Sequence, residues 1–320
     1  MRQNDTVIAV TGLKKSFKGI SVLKGIDFTV RKGQIFALLG SNGAGKTTTV
    51  KILATLLQPD SGSAEICGFN TVRQAHQVRE QISLTGQYAA VDEGLTGKEN
   101  LQMIAALRHL KRARRQWDEV LERFALTDAA DRRVSTYSGG MRRKLDLAMS
   151  LLGNPSIIFL GEPTTGLDPQ SRLAMWKIIK SLSQTGTTVF LTTQYLDEAD
   201  QLADYIAILN DGVIASEGTP DKLKKLLTGG VIEFAFSDEN DMGKAYNLLA
   251  RYDARLHGET LTISVTTNGG IEQLTEILNL LKNSEISVSG FSQKLPTLED
   301  VFLSIIGEKT DKEVKGHDKN

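Results

Sequence analysis

The residues best equipped for chemistry form one run, Gly40-Ser41-Asn42-Gly43-Ala44-Gly45-Lys46-Thr47, with Thr48 directly behind it. The spacing G-x-x-x-x-G-K-[ST] is that of a loop that wraps phosphates. Its glycines let backbone N–H groups turn inward where side chains would clash. Lys46 brings a cation to the β- and γ-phosphates, and the Thr47 hydroxyl can ligate Mg²⁺. A helix opening behind such a loop aims its positive end at the same anion. A second run, Tyr137-Ser138-Gly139-Gly140-Met141, leads into Arg142-Arg143-Lys144. A small polar residue and two glycines at the start of a basic helix make another anion site. Close behind stand Ile157-Ile158-Phe159-Leu160-Gly161-Glu162-Pro163-Thr164 and Gly166-Leu167-Asp168.

Placing these residues requires a particular scaffold. Ile35–Leu39 is a continuous apolar run ending in glycine, which reads as a buried strand feeding the loop, and Lys46–Leu57 reads as the helix that follows. The turn cluster Gln58-Pro59-Asp60-Ser61-Gly62 closes it. Ile157–Leu160 and Thr188–Leu191 are further buried strands, and Asn210-Asp211-Gly212 between two apolar runs predicts a hairpin. Residues 98–150 differ. Leu101, Ile104, Ala105 and Leu107 recur at helical spacing among many charges, so this stretch reads as a helical insertion. Within it, Arg108 to Arg115 is a basic run that reads either as a solvated helix face or as a contact for phosphate or anionic lipid.

Beyond Gly229-Gly230 the order is β-α-β-β-α-β, the ferredoxin-like arrangement, followed by an amphipathic helix at Leu298–Ile306. The expected architecture is therefore an α/β nucleotide-binding domain over residues 1–228, with the insertion at 98–150. A small α+β accessory domain, suited to dimerisation or regulation, covers 229–307. A charged tail, 308–320, is expected to be disordered.

Lys plus Arg and Asp plus Glu each number 38 among 320 residues, so the net charge is zero, which speaks against a general nucleic-acid binder. One cysteine, Cys67, forms no internal disulfide, and a reducing cytoplasm is the natural compartment. No apolar run approaches the ~20 residues of a membrane span. A membrane role therefore implies a partner.

Taken together, these motifs resemble the ATP-binding subunits of ABC transporters, nearly continuously over residues 7–220. That resemblance implies the P-loop NTPase fold of the ABC ATPase type, with ATP and Mg²⁺ as cofactors. It implies a homodimer or a paired ATPase subunit, in which the phosphate loop of one protomer and Ser138, Gly139 and Gly140 of the other enclose one nucleotide. It places Phe17 against adenine, Gln87 at Mg²⁺, Glu162 as general base, and Asp168 at the subunit interface. Tyr-Ser-Gly-Gly-Met, Thr192-Thr193-Gln194-Tyr195-Leu196 and Pro296-Thr297-Leu298-Glu299-Asp300-Val301-Phe302-Leu303 are similar to the daunorubicin-resistance-type drug exporters. In that branch Gln194 replaces the usual histidine, and it donates a hydrogen bond without becoming cationic. The implied partner is a separate ABC-2-type integral membrane permease, met near Gln87–Asn100, with the chain on the cytoplasmic face of the cell membrane. Two other readings are an ATP-dependent clamp or regulatory subunit that barely hydrolyses, and a soluble non-transport ABC ATPase. One phosphate loop and no cysteine clusters speak against the latter.

One position departs from the pattern. Where the family carries an aspartate that helps hold Mg²⁺, this chain has Gly161. Glu162 survives, so the base is present while the metal loses a carboxylate. Three consequences stay open: a loss-of-function variant, a weakly hydrolysing subunit paired with a competent one, or compensation by Glu162 and water. A glycine selected for backbone geometry at a strand end is the bland account of the same residue.

Overall fold

The computed structural model describes residues 5–110, 114–227, 230–268, 270–294 and 296–305. The tail expected to be disordered, and Lys111 to Ala113 of the basic run, lie outside them. The chain divides into two compact units, residues 1–220 and 221–320.

The first unit opens with a hairpin that the sequence reading did not anticipate. Strands β1 (Thr6–Phe17) and β2 (Ile20–Arg31) pair antiparallel. Apolar residues alternate at Ile8 and Val10, but the next inward residue is Leu13, because the register slips between Val10 and Leu13. That bulge hides the period-two signal. Strand β3 (Ile35–Leu39) follows, with all five residues buried, then helix α1 (Lys46–Leu53). This helix stops short of Leu57. Thr55 takes a left-handed φ of 62°, and the Leu56 and Leu57 amides bond back to the Lys51 carbonyl, closing the helix end. Strands β4 (Ser61–Ile66) and β5 (Phe69–Asn70) complete a four-stranded antiparallel sheet in the order β2-β1-β4-β5.

After α2 (Ala75–Gln81) and β6 (Ile82–Thr85), the helical insertion contains α3 (Gly97–Leu107), α4 (Arg114–Arg123) and α5 (Gly139–Leu151). Thr96 and Glu99 form a reciprocal capping box that starts α3. Leu101 and Ala105 are buried as their spacing predicts, whereas Leu107 is exposed. At Arg108 the residue as a whole is exposed, in keeping with a solvated helix face, while its guanidinium also donates to the Leu152 carbonyl (2.6 Å) and to Ser83 Oγ (3.0 Å).

Strands β7 (Ile157–Gly161), β8 (Thr188–Thr193), β9 (Tyr205–Asn210) and β10 (Val213–Gly218) alternate with α6 (Pro169–Gln184) and α7 (Leu196–Leu202). They build a six-stranded sheet, β10-β9-β3-β8-β7-β6, in which only β10 runs antiparallel. Asp211 and Gly212, with φ of 48° and 76°, make the expected tight hairpin turn. The two sheets of this unit meet in a column of rings. Phe36 on β3 stacks on Phe190 of β8 (5.2 Å between centroids) and on Phe28 of β2 (5.3 Å), and Phe159 of β7 meets Phe190 at 5.4 Å.

A short helix, α8 (Pro220–Lys224), leads into the second unit. There β11 (Gly230–Phe236), α9 (Glu239–Leu249), β12 (Arg255–His257), β13 (Thr262–Thr267), α10 (Ile271–Asn283) and β14 (Val288–Lys294) follow in turn, and the four strands form an antiparallel sheet in the order β12-β13-β11-β14. This is the ferredoxin-like arrangement. Ile232, Phe234, Ile263 and Val265 from the sheet share a core with Met242, Leu249, Ile277 and Leu281 from the helices. Residues 298–305 are helical, with Leu298 and Val301 buried.

Phe190 is fully buried and touches three other rings. Phe190→Ala should destabilise the first unit by about 3–5 kcal/mol in denaturant unfolding. Ile20→Ala, at a site 71% exposed, should change stability by less than about 0.5 kcal/mol.

Candidate functional site

In open parallel sheets, ligands settle beyond the carboxyl ends of the strands. Here four such ends converge. Gly40 to Gly45 follows β3, Gly86 and Gln87 follow β6, Glu162 follows β7, and Gln194 follows β8. A cavity of about 490 Å³ is lined by Phe17, Val22, Ser41, Asn42, Gly43, Gly45, Lys46, Thr47, Thr48, Gln87, Glu162 and Gln194.

Two glycines of the loop are sterically required. A Cβ on Gly40 would lie 2.4 Å from the Leu209 carbonyl oxygen. At Gly45, where φ is 112°, a Cβ would lie 2.7 Å from Leu23 Cδ2. Gly40 and Ala44 do not line the cavity: they are packed behind it and set the curvature of the loop. Lys46 is buried and donates from Nζ to the carbonyls of Gly40 (2.6 Å) and Ser41 (2.9 Å). Desolvation pulls its pKa below the usual lysine value, while the Glu162 carboxylate opposes that shift. The cation is thus held inside the loop, beside the cavity.

Glu162 adopts a left-handed φ of 45°, unusual for a residue with a side chain. Its amide donates to the Thr192 carbonyl (2.9 Å). Its Oε2 accepts from Gln87 Nε2 (3.1 Å) and Thr165 Oγ1 (3.2 Å). Glu162 and Gln87 are therefore a contacting pair at one wall of the cavity. Phe17 is 43% exposed, leaving a ring face available to a planar group.

Four further candidates stand apart from this cavity. Ser138 caps α5, accepting from the Met141 amide (3.2 Å). Gly140 packs so tightly that an added Cβ would come 2.5 Å from Ser171 Oγ, whereas one on Gly139 would meet nothing within 4 Å. Asp168 caps α6, accepting from the Ser171 amide (2.9 Å), and the Ser171 hydrogen bonds hold its carboxyl below the ordinary range. Within one protomer, these residues form a second, separate surface.

The sequence reading missed several supporting residues. Arg143 reads as part of a basic helix face, yet it is buried and donates to backbone carbonyls. Glu198 is fully buried and accepts from Thr164 Oγ1 (2.6 Å), tying the segment after Glu162 to α7. Burial pushes the Glu198 carboxyl pKa up. Val22 joins Phe17 in the cavity wall. A charged residue embedded in an apolar-spaced helix was the available signal for Arg143; nothing local marks Glu198.

Polyphosphate fits this site. The loop is shaped by glycines that exclude side chains, and a lysine and two threonine hydroxyls line it. The residues that would hold Mg²⁺ are Thr47 and Gln87, both in the cavity wall, with the Glu162 carboxylate in contact with Gln87. Among the described residues no group of three or more His, Cys, Asp or Glu side chains is placed to hold a metal. Position 161 does not compel glycine. A Cβ there would make ordinary contacts of 3.5 Å with Gln87 N, Gly86 C and Thr85 O, and its φ is outside the left-handed region.

Comparison with known proteins adds to this geometry. A family model described as ABC transporter matches residues 23–165, and one described as the C-terminal domain of DrrA1-3-like ATP-binding proteins matches residues 218–306. The daunorubicin resistance ATP-binding protein DrrA3 of Streptomyces coeruleorubidus is 44% identical, covering 97% of this chain and 98% of that protein. The daunorubicin/doxorubicin resistance ATP-binding protein DrrA of Streptomyces peucetius is 43% identical, covering 97% and 95%. Among solved structures, an ATP-binding subunit of an ABC transporter aligns with a TM-score of 0.62 at 28% identity, covering 69% of this chain and 92% of that one. The cbiO1 protein of Clostridium perfringens aligns with a TM-score of 0.64 at 22% identity, covering 77% and 97%, a likeness of fold.

The two glycine environments yield a contrast. Gly45→Ala should weaken ATP binding at least about tenfold in titration calorimetry, a loss near 1.4 kcal/mol. Measured on single protomers, Gly139→Ala should leave stability within about 1 kcal/mol and ATP affinity unchanged, because its surroundings within the protomer are open. Equal losses from both would contradict the assignment of two separate surfaces.

Proposed function

The chain belongs to the ATP-binding subunits of ABC transporters, in the daunorubicin-resistance type, and on that footing we propose that it powers a drug or lipid-like exporter by ATP-driven closure of two protomers. The observation that carries this reading is the split of the candidate residues. Lys46, Thr47, Gln87, Glu162 and Gln194 share one cavity, while Ser138, Gly139, Gly140 and Asp168 stand on another surface of the same chain. A site so divided is completed by a second copy, or a paired subunit, whose Ser138 surface covers the nucleotide.

In this reading Phe17 stacks on adenine, and the inward amides of Ser41 to Thr48 bind the phosphates together with Lys46. Gln194 donates to a γ-phosphate oxygen. Glu162 accepts the proton of an attacking water. A carboxylate offers about four acceptor positions, so its bonds to Gln87 and Thr165 leave room for that water. The residues that would hold Mg²⁺ are Thr47 and Gln87, and the ion, when bound, offsets charge on the phosphate oxygens. Among the described residues no helix is long and apolar enough to cross a membrane. The reading therefore adds a separate ABC-2-type permease, met near Gln87–Asn100, and a peripheral position on the cytoplasmic face of the membrane.

Gly161 favours a second reading, an ATP-dependent clamp that closes but barely turns over. Mg²⁺ requires near-octahedral oxygen coordination, and this position contributes no carboxylate. Removal of a preorganised charge-stabilising group typically costs about 10²–10³-fold in turnover.

Steady-state Mg-ATPase assays of this chain beside Gly161→Asp separate the two. Because position 161 has room for the new Cβ, Gly161→Asp should fold normally and raise turnover by about 10²–10³-fold. Its ATP affinity without divalent ions should stay unchanged. Equal rates would refute the claim that the missing carboxylate limits hydrolysis.

A further inference from the structure

Arg143 makes more polar contacts to this site than the mechanism above uses. It lies on the second turn of α5, with its side chain only 7% exposed. Nη1 donates to the Gly86 carbonyl at 2.7 Å and to Asp146 Oδ2 at 3.2 Å. Nη2 donates to the Gly161 carbonyl at 3.0 Å and reaches the Glu162 carbonyl at 3.5 Å, while Nε donates to Pro163 at 3.0 Å. Asp146 in turn accepts from the Ala90 amide at 3.1 Å.

These acceptors are not scattered. Gly86 directly precedes Gln87, and Gly161 and Pro163 flank Glu162. One guanidinium thus fixes the backbone on either side of the Gln87–Glu162 pair, and it helps hold the left-handed φ of Glu162. Only arginine, with five donors in a planar fork, can serve so many acceptors at once. Burial lowers the Arg143 pKa and raises that of Asp146, which is the mark of a desolvated pair kept in place by geometry. The same helix begins at Ser138, five residues and about 7.5 Å of axis away. In its first turn Gly140 packs against Ser171, so that turn is in contact with the start of α6.

We propose that Arg143 is a positioning residue that couples the two half-sites of one protomer, so that a nucleotide meeting Gln87 and Glu162 shifts the Ser138 end of α5. The proposal rests on the reading that the cavity takes ATP. A γ-phosphate that displaces the Gln87–Glu162 contact acts on residues whose flanking carbonyls Arg143 holds, and α5 carries that arginine. A brace that merely stabilised the fold would not transmit occupancy.

Hydrogen exchange of the full chain with and without ATP distinguishes these roles, at concentrations where sedimentation shows single protomers. In the unsubstituted chain ATP should slow exchange both at residues 40–47 and at the start of α5, residues 139–142. In Arg143→Lys and Arg143→Met, protection at 40–47 should persist. The effect at 139–142 should fall by about tenfold, the scale of one charge-assisted hydrogen bond in an opening equilibrium. Lys keeps the charge but lacks the fork, so it decides the matter if Arg143→Met does not fold. Full retention of the α5 response in Arg143→Lys, or its absence in the unsubstituted chain despite protection at 40–47, overturns the proposal. Absence of protection at 40–47 in the unsubstituted chain overturns ATP binding itself, and the coupling with it.

Discussion

The first unit depends on a close approach of main chain to main chain at the exit of β3. Gly40 lies against the Leu209 carbonyl and Gly45 against Leu23, with no space for a Cβ at either. There backbone amides can converge on an anion while the following helix starts at once. The rest of the unit supports that approach. β9 and β2 provide the walls, the buried parallel strands keep β3 in register, and the column of Phe28, Phe36, Phe159 and Phe190 locks the two sheets together.

The chemistry around the loop is supplied by strand ends that are distant in sequence. Gln87 and Glu162 are seventy-five residues apart yet in contact. Glu162 is held in a left-handed conformation by bonds from its own amide and to its neighbours' carbonyls, a local cost that the surroundings over-determine. The buried carboxylate of Glu198 extends the same bracing to the segment after β7 through Thr164. Several backbone positions around the cavity are thus secured by buried polar groups, Arg143 and Glu198 among them.

Much of this was legible in the sequence because the informative features were local. The phosphate loop, the apolar runs of β3, β7 and β8 and the Asn210-Asp211-Gly212 turn each announce themselves within about ten residues, and the β-α-β-β-α-β order is a succession of such short signals. What escaped was non-local. The β1–β2 hairpin was hidden by bulges that break alternation, and α1 was read too long because its left-handed end at Thr55 carries no glycine. Arg143 looks like a surface charge in a one-dimensional reading. Its burial is decided by carbonyls contributed from other strands and loops.

The unforced backbone at position 161 has a consequence in descent. Glycine and aspartate codons lie one base apart, and a Cβ at this strand end meets only ordinary contacts and needs no special torsion. A single base change can therefore add a side chain beside the Gln87 backbone without rebuilding the strand that carries it.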